Sequence, residues 1–219
     1  MRSLVIGGTG RVGSVVAARL GAEGWPVVAA GRADGDVSEP AAARALVERA
    51  VGQLEGLDLV VHAAGDGFEP KPFDEVTEDD WDTAFGVTAK ASFFLAQAAA
   101  PHLRAAGGAL ILIEDVAAYQ PWPSFAAHSA AKAAQAMLTR VLARALAPEV
   151  RVCGIAPGPV AVEPGQEERR AAETLLGRVG SPDDVAEAVL YLARAGFVTG
   201  ASLVVDGGRL LQTERREGT

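Results

Sequence analysis

Three residues in the stretch DVAAYQPWPSFAAHSAAK, spanning 115 to 132, have the types and spacing for proton transfer: Asp115, His128 and Lys132. His128 and Lys132 are four apart in an Ala-rich segment, so on a helix they share one face. Asp115 follows the apolar run ALILIE, which places it at the carboxyl end of a strand, where parallel sheets bind their ligands. An imidazole ordinarily titrates near ~6.5, and a neighbouring ammonium lowers that value, leaving a neutral ring that donates protons poorly at pH 7. A carboxylate within hydrogen-bond reach acts the other way, and an Asp–His⁺ pair is a competent general acid. The competing reading is three scattered surface polar residues. Tyr119, four past Asp115 in a loop, has no evident geometric route to the same point. His62 reads as a packed, hydrogen-bonded histidine. The three histidines, 62, 102 and 128, lack metal-ligand spacing and there is no paired Cys, so no metal site is expected.

A second constellation is GGTGRVG, in which Gly7, Gly8, Gly10 and Gly13 surround Thr9, Arg11 and Val12 between an apolar strand and the opening of a helix. Backbone N–H groups and the positive helix end converge at such a turn, which suits a pyrophosphate. The alternative is a tight turn that binds nothing. Arg32 follows the second strand, where the adenosine ribose of a dinucleotide would lie. The strand sequence VVAAG has no acid to accept from a ribose 2′-hydroxyl, and Arg11 with Arg32 suits a 2′-phosphate, so NADP(H) is preferred over NAD(H). A solvated loop charge is the other reading of Arg32, and Asp34 and Asp36 nearby oppose the preference. Alternatively, Asp36-Val37 places a carboxylate near the adenine amino group.

The elements that must position these groups follow from the pattern of the whole chain. Short β-rich runs near 2–6, 26–30, 57–62, 109–114, 150–155 and 202–205 alternate with amphipathic stretches near 11–23, 40–54, 78–105, 124–147 and 182–194. This is the signature of an α/β, doubly wound parallel sheet of Rossmann type, in one domain spanning residues 1–219. Only GRADG separates VVAA from Asp36-Val37, and a parallel crossover needs about a dozen residues. The third strand expected there is therefore at best a stub, and the helix before it is shortened or absent. Ser181-Pro182 before DDVAEAVLYLARA reads as a capped helix start, and the tail QTERREGT reads as solvated.

Composition narrows the function. Asp and Glu number 28 against 20 Lys and Arg, for a formal net charge of -8, which disfavours nucleic acid and anionic membrane surfaces as partners. Cys153 is the sole cysteine and lies in VRVCGIA, so a buried inert thiol and a reducing, cytoplasmic setting are expected. The start MRS leads straight into LVIGG without room for a secretory leader, and no apolar run approaches the ~20 residues of a membrane span.

The residues resemble the short-chain dehydrogenase/reductase family along nearly the whole chain. GRVGSPDDVAEAVLYLARAGFVTGASLVVDGG is similar to that family's C-terminal segment almost position by position, and IAPGPV to its Pro-Gly turn beside the nicotinamide. Within the family the chain resembles the bacterial pteridine reductase-like members: Arg11 where most have Gly, Asp115 where most have Ser, and the short loop VEPGQEERRAAETLLGRVG. The resemblance implies that Ala63, Ala64, Gly65, Pro157, Gly158 and Val160 contact the cofactor. It also implies that Lys132 holds the nicotinamide ribose and lowers the pKa of the proton donor. The usual Tyr-x-x-x-Lys stands here as His128 to Lys132, the usual Asn-Asn-Ala-Gly begins with His62-Ala63, and the usual relay Asn is Thr88. The implied activity is NADPH-dependent reduction of a small, pterin-like carbonyl or imine with His128 in place of Tyr. The alternative is a catalytically impaired NADP(H)-binding sensor or scaffold. Trp122, Phe125 and the 160–177 loop are expected at the substrate pocket, and a homo-oligomer, dimer or tetramer, is expected through the helices near 78–105 and 124–147.

Overall fold

Residues of alternating direction along six short apolar strands divide the core in two. The computed structural model describes residues 1–65 and 69–212; the expected tail from Thr213 onward lies outside the described residues. The strands are β1 (Ser3–Ile6), β2 (Val27–Ala30), β3 (Leu59–His62), β4 (Ala109–Ile113), β5 (Arg151–Pro157) and β6 (Ser202–Val205). They form one parallel sheet in the order β2-β1-β3-β4-β5-β6. Leu4, Ile6, Val60, Leu110, Leu112 and Val152 face one side, and Val5, Leu59, Val61, Ile111, Cys153 and Ile155 the other. Such strands read as continuous apolar runs because helices cover both faces.

On one face lie α1 (Arg11–Ala22) and α7 (Pro182–Arg194); on the other lie α2 (Pro40–Leu54), α4 (Ala91–Ala106) and α5 (Ala126–Leu146). Helix α7 begins where its cap residues place it: Ser181 Oγ accepts from Asp184 N at 3.3 Å and the Asp184 carboxylate accepts from Ser181 N at 2.7 Å. The helical stretch expected over 78–105 is interrupted. It runs as α3 (Glu78–Phe85), one π turn over Gly86–Lys90, and then α4, with Thr88 buried in the π turn.

The short link after β2 behaves as its length requires. A single 3-10 turn, Arg32–Asp34, replaces a crossover helix, and Gly35 leaves it at φ +142°. No third strand forms at Asp36-Val37. Val37 is buried in the core beneath α2 instead, the Asp36 carboxylate accepts from Ser38 N at 2.9 Å, and β2 becomes the edge of the sheet. The loop over 162–180 contains one short helix, α6 (Glu167–Ala171), where the sequence reads as loop. Chain direction across the sheet reverses between β1 and β3, and the carboxyl ends of those strands are where this topology opens a crevice.

Candidate active site

At that reversal the backbone is packed too closely for side chains. Gly7 sits at φ +78°, and a Cβ there would lie 2.5 Å from Ala64 N, so glycine is required for both reasons. A Cβ on Gly13 would lie 2.7 Å from the Gly7 carbonyl carbon. The turn is closed by Gly10 N donating to Gly7 O at 2.9 Å, and Ala63 N donates to Ile6 O at 2.8 Å. Helix α1 then starts with no side-chain cap and no acid in its first turn. Its first N–H groups are left for an outside acceptor at the positive end of the dipole.

One cleft of about 2010 Å³ opens from this turn across the carboxyl ends of the strands. Gly7, Thr9, Gly10, Arg11, Val12, Gly13, Arg32, Asp36, Val37, Ala63, Ala64, Gly65, Pro157, Gly158 and Val160 all line it, as do Asp115, His128 and Lys132. Every residue expected at the site is therefore on one continuous surface. The two arginines differ in their engagement. Arg11 crosses to the loop after β5, with Nη1 donating to Ala161 O at 2.8 Å and pairing with Glu163 at 2.7 Å. Arg32 stays at the end of β2 and opens the 3-10 turn. The Ser38 hydroxyl and backbone N–H hold the Asp36 carboxyl below the usual carboxylate range, with a lesser contribution from Arg32.

Asp115, His128 and Lys132 stand on the end of β4 and the first turns of α5. Asp115 Oδ1 accepts from Ala117 N at 2.8 Å, which fixes the carboxylate as cap of the turn Val116–Ala118. Its Oδ2 lies 3.5 Å from His128 Nε2, with the imidazole 5% exposed and the carboxylate 21% exposed. Lys132, one turn along α5, is buried and donates to Ile113 O at 2.8 Å and to Gln135 Oε1 at 3.0 Å. Tyr119 is absent from the cleft lining; its hydroxyl donates to Glu114 Oε2 at 3.0 Å, and burial raises its pKa above the ordinary phenol value.

Behind Lys132 lies a polar chain that no residue spacing had singled out. Gln135 Nε2 donates to Ser92 Oγ at 3.0 Å, Ser92 Oγ donates to Thr88 O at 2.7 Å, and His62 Nδ1 is 2.9 Å from the same hydroxyl. Burial pushes the His62 imidazole down to about 3; the Lys132 ammonium adds to the shift and the Val87 carbonyl opposes it. His62 is thus a neutral, packed histidine. Gln135 lies three residues past Lys132 and Ser92 four past Thr88, a helical spacing that could have flagged both. Cys153 is buried with its thiol pushed up by desolvation. Among the described residues no group of His, Cys, Asp and Glu is arranged to hold a metal ion, and no helix is long and apolar enough to cross a membrane.

Trp122, Phe125, Val160, Gln166, Arg169, Arg170 and Arg209 line the same cleft. The aromatic pair and the 160–177 loop are where the sequence placed the substrate pocket. Arg209 carried no such signal, since it lies 94 residues beyond Asp115 and only the fold brings it there.

Compared with known proteins, residues 12–209 match a family model described as enoyl-(acyl carrier protein) reductase. The chain is similar to 4-formylbenzenesulfonate dehydrogenase of Comamonas testosteroni, with 35% identity over 94% of this chain and 96% of that protein. It is similar to the crystal structure of a 3-ketoacyl-(acyl-carrier-protein) reductase from Brucella melitensis complexed with NADH, at 27% identity and TM-score 0.88, covering 95% of this chain and 97% of that one. It is also similar to a blue fluorescent protein from a metagenomic library in complex with NADPH, at 28% identity and TM-score 0.85, covering 94% of this chain and 96% of that one.

Proposed function

The chain belongs to the short-chain dehydrogenase/reductase family of oxidoreductases, and from that premise we propose that it reduces a small carbonyl or imine with NADPH, using His128 as the proton donor. The observation that carries the reading is the meeting, in one cleft, of the Asp115–His128 pair, Lys132 and the Gly-rich turn. The nicotinamide, when bound, supplies the hydride. The residues that would hold the cofactor fit it: the uncapped start of α1 offers N–H donors to the pyrophosphate, and Gly7 and Gly13 leave no side chain in the way.

The chain's own part is acid–base. His128, with the Asp115 carboxylate as counter-charge, donates its proton to the substrate heteroatom as negative charge develops there. Lys132, fixed by Ile113 O and Gln135, supplies a positive charge at the same wall. NADPH preference rests on Arg32 just past β2, a strand with no acid of its own to accept from a ribose hydroxyl; the Asp34 carboxylate, which accepts from Gly31 N at 2.9 Å, and Asp36 act against it. The pterin-like substrate rests on Arg11, Asp115 and the short loop after β5; the aldehyde named for the Comamonas testosteroni relative supports the wider carbonyl class. A homo-oligomer is supported by apolar side chains exposed on α4 and α5, Phe93, Met137 and Val141. The single buried thiol supports a cytoplasmic setting, and the net charge of -8 supports neither nucleic acid nor membrane as partner.

The test is NADPH oxidation against dihydropterins, quinones and small carbonyls by wild type, Asp115→Asn and His128→Tyr. Wild-type turnover that collapses in Asp115→Asn supports the Asp–His acid. Turnover confined to His128→Tyr would overturn it and leave a protein that binds cofactor without turning over.

A further inference from the structure

We propose that Arg209, seated on the Trp122 ring, recognises an anionic oxo group of the substrate, so that the cleft takes a flat carbonyl compound bearing a carboxylate, sulfonate or phosphate. The inference rests on the oxidoreductase reading above and narrows its substrate class.

The guanidinium carbon of Arg209 lies 4.6 Å from the Trp122 ring centroid. Its Nη2 is 2.9 Å from Glu173 Oε2, with the arginine side chain 15% exposed. Glu173 is not its alone. Arg170 Nη1 reaches the same carboxylate at 3.1 Å and Arg169 Nη1 at 3.1 Å. Three guanidiniums thus share one carboxylate, and all three line the cleft that holds Asp115 and His128. Such a surplus of cation is against the trend of a chain whose formal net charge is -8.

The other carboxylates near Arg209 are Asp115 and Asp206, and both are committed. Asp206 accepts from Gly208 N at 2.8 Å and Leu210 N at 2.7 Å. Asp115 accepts from Ala117 N and faces His128. A guanidinium offers five N–H donors in a flat fork that matches an oxyanion with two bonds. Among the described residues, Arg209 spends that fork on one shared carboxylate oxygen. Desolvation is the largest influence on this side chain, and it acts against the charge, so an anion arriving from solvent answers an unmet cost. Stacking on Trp122 fixes the plane of the fork, and the Trp122 and Phe125 rings, 5.9 Å apart, make the wall beside it apolar and aromatic.

The experiment compares 4-formylbenzoate with its neutral methyl ester, which share ring and aldehyde and differ in one charge. Wild type should show kcat/KM higher by about tenfold or more for the acid, the scale of one charge-assisted pair. Arg209→Gln should bring the acid-to-ester ratio of kcat/KM close to one, and Arg209→Lys should keep part of the preference. Calorimetric binding of benzoate to the NADPH complex reads the same site without turnover. Binding by wild type that is lost in Arg209→Gln supports the site even if no substrate in the panel turns over, and in that event only the oxidoreductase reading fails. Equal wild-type kcat/KM on acid and ester, or benzoate binding unchanged in Arg209→Gln, overturns the proposal. So does an Arg209→Gln variant whose deficit is in NADPH affinity, since the anion held would then be the cofactor's. The wild-type comparison needs no variant to fold.

Discussion

His128 Nε2 lies 3.5 Å from Asp115 Oδ2, while one helical turn away Lys132 Nζ donates to the carbonyl of Ile113 at 2.8 Å. One strand end therefore grips two successive turns of α5 and sets an imidazole and an ammonium against a single edge of the sheet. Asp115→Asn removes the counter-charge yet keeps an oxygen to accept from Ala117 N. Its kcat is expected to fall by about 10²-fold or more, the usual weight of general acid catalysis, with the melting temperature nearly unchanged. Steady-state rates at saturating NADPH check this; an undiminished kcat would remove Asp115 from the proton-donating pair.

Arg32 and Arg11 should separate in their effects. Arg11 is tied across the cleft to Ala161 and Glu163, so Arg11→Ala should weaken NADPH and NADH alike. Arg32 stands at the end of β2, and Arg32→Ala should weaken NADPH by about ten- to a hundredfold, the scale of charged hydrogen bonds at ~1.5–3 kcal/mol, and leave NADH unchanged. Titration of both cofactors against both variants decides it. Equal losses for the two cofactors in Arg32→Ala would end the 2′-phosphate assignment.

How much of this was legible depends on distance along the chain. The strands and helices announce themselves because burial of both sheet faces makes each strand an apolar run, and Ser181-Pro182 fixes the start of α7 through local capping alone. The missing strand at Asp36-Val37 was legible from the length of GRADG. The π turn around Thr88 was not, because it belongs to a tertiary chain in which Ser92, donating to Thr88 O, meets His62 and Gln135 from other elements. Arg209 and Glu173 were invisible for the same reason. Their pairing is set by how α6 and the turn after β6 meet over the cleft, and no local periodicity encodes that.

The neutral, buried His62 should make the fold sensitive to acid. Its folded-state pKa, about 3, lies below the ordinary 6.5. As pH falls below about 6.5 the unfolded chain takes up a proton that the folded chain refuses, so the stability associated with this group is full above that value and is lost as pH falls toward 3. Between about pH 6.5 and about pH 5 the loss is about 2 kcal/mol. His62→Asn should flatten that part of the profile by close to one proton, measured by urea unfolding at a series of pH values. A slope identical to wild type would mean that His62 takes up its proton in the folded state as readily as in the unfolded chain.

The glycines of the cleft should rank by what a methyl group would strike. At Gly13 a Cβ would lie 2.7 Å from the Gly7 carbonyl carbon, backbone that cannot yield without moving the turn, whereas at Gly10 the nearest atom is Gly7 O at 3.2 Å. At Gly65 no atom of the described residues lies within 4 Å of an added Cβ. Gly13→Ala is therefore expected to cost ~1–3 kcal/mol of stability, the range for overpacking, and to abolish the rise in melting temperature that NADPH gives. Gly10→Ala should cost less and keep part of that rise, and Gly65→Ala should melt within error of wild type. Thermal melts of the three variants with and without NADPH give the order directly. If Gly13→Ala kept the full rise, the close approach of α1 to Gly7 would not be what makes room for the cofactor.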